Sequence, residues 1–111
     1  MNEFKVQQRT LIVGNNKTEF QDPIDNVKKS GDYYIVLIDV PQINNLYAVN
    51  SEGQIVWQIE DAGRIYGFIN DVSYVGTRIT ETSQIVVTNF NGVTYTVDPA
   101  NGKIVGRGVT K

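Results

Sequence analysis

The stretch "NLYAVNSEGQIVW", residues 45–57, returns in looser form as "VTYTVDPANGKIVG", residues 93–106. Tyr47 and Tyr95 stand 48 positions apart, and Gly31 and Gly76 stand 45 apart. In each copy a short run of β-branched and aromatic residues leads into a turn built on Asn50 or Asp98 and closed by Gly53 or Gly102, and a second such run follows. Asx side chains bond back to turn backbone and glycine accepts the left-handed exit, so each copy reads as a strand–turn–strand unit. Further runs complete four strands per repeat: 24–27, 34–40, 46–49 and 55–59 in the first, and 69–75, 85–90, 93–97 and 104–109 in the second. Asn91-Gly92 between two of them is a strong two-residue hairpin signal. Four strands in a period of 40 to 50 residues is the pattern of a propeller blade.

With 111 residues the chain has room for one domain. The spacing predicts an all-β fold of two stacked antiparallel four-stranded blade-like sheets. An N-terminal β-hairpin (1–21) covers the first repeat (22–62), and the second repeat (63–111) follows. The stretch "TEFQDPIDNVKKSG" also admits one helical turn after Pro23, capped by Asp22 and stopped at Gly31.

"AVNSEGQIVW", residues 48–57, resembles the tryptophan-docking motif of quinoprotein-type (PQQ-like) β-propeller repeats, in which an Ala, an Asp, a Gly-Lys pair and a Trp recur at set spacing. Ala48, Asn50, Gly53, Gln54 and Trp57 match it with a turn one residue shorter. The second copy keeps Asp98, Gly102 and Lys103 but has Thr96 for Ala and Gly106 for Trp. The resemblance covers roughly residues 24–109 and implies blades with Trp57 wedged between layers and Tyr47, Tyr95, Gly53 and Gly102 as structural positions. It implies no particular activity, because a propeller closes with about four to eight blades and two cannot form a ring.

The copies differ in a way that fits a finite stack. Residues 46–49 are apolar on both faces, as a sheet covered on both sides requires. In the second copy Val93, Tyr95 and Val97 share one face, while Thr94 and Thr96 share the other and can meet water. The second sheet is therefore expected to cap the first, whose far side the N-terminal segment or another subunit would cover.

Charge and residue types narrow the function. Lys and Arg total 10 against 12 Asp and Glu, scattered, with no basic stripe for nucleic acid. Cysteine and histidine are both absent, which excludes disulfides, imidazole catalysis and a Ser-His-Asp triad, and removes the commonest zinc ligands. The first ten residues lack a signal-like apolar core, and no apolar run reaches the roughly 20 residues of a membrane helix. The expectation is a soluble, cytoplasmic chain, without cofactor or metal, that is not an enzyme. Asp22, Asp25, Glu60, Asp61 and Asp71 read as turn acids, and Gly63, Gly67, Gly76 and Gly92 as turn or bulge residues.

Aromatic residues are the remaining signal. Tyr33, Tyr66, Phe68 and Tyr74, with Arg64, are the candidate partner-binding residues, since Tyr and Arg are common in interaction hot spots. "EDAGRIYGFIN", residues 60–70, links the repeats and is the leading surface candidate. Two functions remain open. One is a module that binds another protein, as bacterial immunity or adaptor proteins do, acting as a monomer or small homo-oligomer. The other is a subunit of an oligomeric β-propeller that binds a small ligand or carbohydrate.

Overall fold

The structure, a computed structural model, describes residues 4–109. Among these residues eleven strands form three antiparallel sheets, with one short helix between the second and third. The first sheet contains β1 (Phe4–Gln7), β2 (Thr10–Val13) and β3 (Asn16–Glu19). The second contains β4 (Ile24–Ser30), β5 (Tyr33–Ile38), β6 (Leu46–Val49) and β7 (Ile55–Gln58). Helix α1 (Ala62–Tyr66) leads to the third sheet: β8 (Tyr74–Ile79), β9 (Ile85–Asn89), β10 (Val93–Val97) and β11 (Ile104–Val109). Each four-stranded sheet is a meander in chain order.

The sheets stack as three layers with two cores between them. One face of β5 and β6 presents Tyr34, Val36 and Val49, which pack with Leu11, Val13 and Phe20 of the N-terminal segment. The opposite face presents Ile35, Leu37, Leu46 and Ala48, which meet Tyr74, Ile85, Val87, Tyr95 and Val97 of the third sheet. The period-2 alternation of a strand delivers both sets from one apolar run, so β5 is buried from Tyr34 through Ile38. The expected N-terminal cover is present, but it is a three-stranded sheet and not a hairpin alone: β3 returns along β2 and places Thr18 opposite buried Leu11.

The repeat is exact enough to carry the same irregularities. A bulge separates Ala48 from Val49 against β7, and another separates Thr96 from Val97 against β11. The opening strands are also broken alike, between Ile24 and Asn26 and between Tyr74 and Gly76. This register corrects two sequence expectations. Gly76 corresponds to Asn26 inside a strand, not to the turn glycine Gly31; the β8–β9 turn lies at Thr80–Gln84 instead, where the Thr80 hydroxyl accepts the Gln84 N–H at 3.1 Å. The strand expected at 69–75 begins only at Tyr74, because α1 occupies the connection and leaves Ile69 89% exposed. The helical alternative after Pro23 is likewise replaced by β4.

Trp57 ties the second layer to the third. It is 8% exposed, its indole N–H donates to the Pro99 carbonyl at 2.8 Å, and its ring lies against Gly102. A Cβ on Gly102 would stand 2.6 Å from the ring, so glycine is required there for contact as well as for its φ of +78°. Turn capping follows the expected pattern: the Asn50 side chain accepts the N–H groups of Glu52 and Gln54, and the Asp98 side chain accepts that of Ala100.

Candidate interaction surface

The connection from the second to the third sheet is the most elaborated segment of the surface. Glu60 begins it: its N–H donates to the Gly102 carbonyl at 3.1 Å, and its carboxylate accepts the Ile104 N–H at 2.9 Å. Asp61 caps α1, accepting from the Gly63 N–H at 3.0 Å and from the Asn70 side-chain amide at 3.1 Å. These two acids hold the connection to the third sheet and pin its two ends together. Gly67 ends the helix in the left-handed conformation and donates to the Gly63 carbonyl at 2.9 Å. A five-residue helix has little stability of its own, so the shape of this loop depends on these bonds.

What the loop displays is apolar and cationic. Ile65, Tyr66 and Phe68 are each about two-fifths exposed, and Ile69 is almost fully exposed. Arg107, on β11 opposite Tyr95, places its guanidinium 5.3 Å from the Tyr66 ring centre and 5.6 Å from that of Phe68. Tyr66 in turn lies against Tyr95 at 5.9 Å, and Tyr95 meets Tyr74 edge-on at 6.1 Å. A continuous aromatic ladder therefore runs from the buried core to the surface. Among the described residues neither Arg64 nor Arg107 has a carboxylate within ion-pair distance.

Of the five residues singled out from sequence, Arg64, Tyr66 and Phe68 share this exposed loop. Tyr33 lies apart, half-buried against the core in a shallow depression with Ser83, Pro99 and Ala100. Tyr74 is corrected: it is 3% exposed and belongs to the core, because its strand starts later than expected and turns it inward toward Tyr95. Burial raises its phenol pKa well above the ordinary value, with Tyr95 and Asp61 adding to the effect, and its hydroxyl has no hydrogen-bond partner among the described residues. Sequence reading missed Arg107, Ile65 and Ile69. A signal for Arg107 was present: it is the one long side chain in "GRG", residues 106–108. No group of three or more His, Cys, Asp or Glu side chains that could hold a metal ion occurs among the described residues. Nor is any helix among them long and apolar enough to cross a membrane.

Stacked four-stranded meanders with docked turns define a propeller-like class of fold, and solved structures agree. The computationally designed Ika8 protein is similar over 97% of this chain and 36% of its own, with TM-score 0.64 and 7% identity. BamB from Moraxella catarrhalis, a PQQ-like β-propeller protein, is similar over 98% of this chain and 35% of its own, with TM-score 0.57 and 14% identity. The chain thus spans about a third of either structure. No curated protein matches it. The chain belongs to the family described as "Domain of unknown function (DUF7957)", which matches residues 1–109.

Proposed function

We propose that this chain is a non-enzymatic protein-interaction module, a short, capped offshoot of the PQQ-like repeat style that acts in the manner of an immunity or adaptor protein. The observation that carries this reading is the loop at 64–69 with Arg107: four large apolar side chains exposed by about two-fifths or more, with the Arg107 guanidinium over two of their rings and neither Arg64 nor Arg107 in an ion pair among the described residues, on a loop braced by the hydrogen bonds of Glu60 and Asp61. Aromatic residues and Arg presented together on a rigid support are the usual makings of a binding hot spot.

The alternative, a subunit of an oligomeric ring that binds a small ligand or carbohydrate, needs both end sheets to pack against neighbours. Their outer faces oppose it. Lys5, Gln7, Lys17 and Glu19 surround Ile12 on the first, and Arg78, Thr88, Thr94 and Thr96 surround Val86 on the last.

The test is affinity capture from the source cells with the tagged whole chain, beside a variant carrying Phe68→Ala, Ile69→Asp and Arg107→Ala. A partner retained by the parent and lost from an equally stable variant supports the proposal. Identical capture profiles for the two proteins would overturn it.

A further inference from the structure

The first sheet corresponds to the last three strands of a four-stranded blade, and no described residue occupies the position of its opening strand. The Leu11–Thr18 pair occupies the place of the Ala48–Trp57 pair one layer on. The Thr18 hydroxyl donates to the Gly53 carbonyl at 2.7 Å in the next sheet's turn, just as the Trp57 indole donates to Pro99 in the turn after it. Gly53 lies against Asn16 and Thr18 as Gly102 lies against Trp57. β1 touches β4 as β5 touches β8. By this alignment β1, β2 and β3 match β5, β6 and β7. The other two sheets each have a strand ahead of these, β4 or β8. Among the described residues β1 pairs with β2 alone.

The chemistry of the gap is specific. All four residues of β1 are exposed, and alternate backbone N–H and C=O groups of an antiparallel edge strand point outward with no ladder to join. Phe4 and Val6, more than a third exposed, lie on the face of the first sheet that looks toward the second, opposite buried Val13 and Leu11. Phe4 meets the Tyr34 ring edge-on at 5.6 Å, and half-buried Val27 of β4 lies on the same face as Tyr34. On the opposite face of β1, turned outward by the strand's alternation, Lys5 stands beside the same edge, while Lys29 of β4 is engaged with the Gly31 carbonyl and with the Tyr34 ring, 5.3 Å from its centre.

We propose that the free edge of β1 is a strand-addition site, filled by an extended segment of a partner protein that runs antiparallel to β1 and alternates apolar with acidic residues. The molecule itself indicates the size of the occupant, since β4 and β8, which fill the same position in the other layers, are seven and six residues long. Main-chain bonds to β1 supply affinity; inward contacts with Phe4, Val6 and Val27 and the outward charge of Lys5 supply selectivity. The site is separate from the α1 loop and does not depend on it.

The test is selection of a displayed library of random heptapeptides on the whole chain, with synthetic copies of the enriched peptides then titrated against four proteins. Peptides alternating apolar and acidic residues are expected to be enriched and to shift the amide resonances of Phe4 to Gln7. Val6→Pro, which denies the edge a backbone donor, should weaken them at least tenfold. Lys5→Glu, at an exposed position on the outward face, should do the same and should favour lysine-bearing counterparts instead. The Phe68→Ala, Ile69→Asp, Arg107→Ala variant should bind them as the parent does, which separates this site from the loop. Enriched peptides with no alternation or acidic bias, or binding that survives both Val6→Pro and Lys5→Glu, would overturn the proposal. So would a dimer of the parent chain paired through β1, since a second copy would then be the occupant.

Discussion

Replacing Gly102 with Ala tests the central contact of the fold. Two costs add. The backbone sits at φ +78°, where an L-residue is disfavoured by about 1 to 2 kcal/mol. The new methyl would also stand 2.6 and 2.7 Å from two carbons of the Trp57 ring, where carbon pairs settle at about 3.5 to 4.0 Å. Overpacking of this kind costs about 1 to 3 kcal/mol, so the whole is about 2 to 5 kcal/mol. Gly31→Ala isolates the first cost, because its φ is +57° and nothing lies within 4 Å of an added Cβ. Urea unfolding followed by far-ultraviolet circular dichroism should place Gly102→Ala about 1 to 3 kcal/mol below Gly31→Ala. In a Trp57→Leu background the excess should vanish, since the ring that the methyl strikes is gone. Equal costs for the two alanines, or an excess that persists without Trp57, would refute the account of how the second and third layers lock. Trp57 is the only tryptophan, so its fluorescence reports independently whether the indole has moved into water.

Asn45→Ala removes the buried amide that donates to Ile38 and Tyr74 carbonyls and accepts the Tyr74 N–H; leaving those groups unpaired should cost about 3 to 5 kcal/mol in the same unfolding measurement. Tyr74→Phe deletes a buried hydroxyl without a partner and should raise stability at neutral pH by about 1 kcal/mol. The same substitution should flatten the alkaline limb. The folded-state pKa of Tyr74 is raised, so its contribution is intact below pH 10 and lost as pH rises beyond that, at about 1.4 kcal/mol per pH unit for each such tyrosine. Ile69→Asp, at a side chain 89% exposed, should change the unfolding free energy by less than about 0.5 kcal/mol, which makes it a clean probe of binding.

The repeats were legible because turn chemistry is local. Asn50 and Asp98 cap their turns, Gly53 and Gly102 leave them left-handed, and the two-faced apolar run 46–49 against the one-faced run 93–97 foretold which sheet is central. The opening strand of the second repeat was misplaced for a reason equally physical. Ile69 and Val72 look like strand residues, but Asp61 captures the Gly63 N–H and the Asn70 amide and draws the chain into a helical turn first. That choice depends on a capping bond across nine residues, which periodicity does not register. The third strand of the first sheet was hidden because β3 has only Thr18 buried, and one inward threonine leaves no apolar pattern. Arg107 was overlooked because its neighbours, Tyr66 and Phe68, lie about forty positions away in the chain and meet it only through the fold.

Both end layers turn charge and hydroxyl outward around Ile12 and Val86, whereas the middle layer is greasy on each side. Growth by adding a unit at either terminus would therefore bury groups suited to water. Duplication of the centre, residues 24–58, would instead present every new surface with one of its own kind, so lineages that lengthen this protein should do so from the inside.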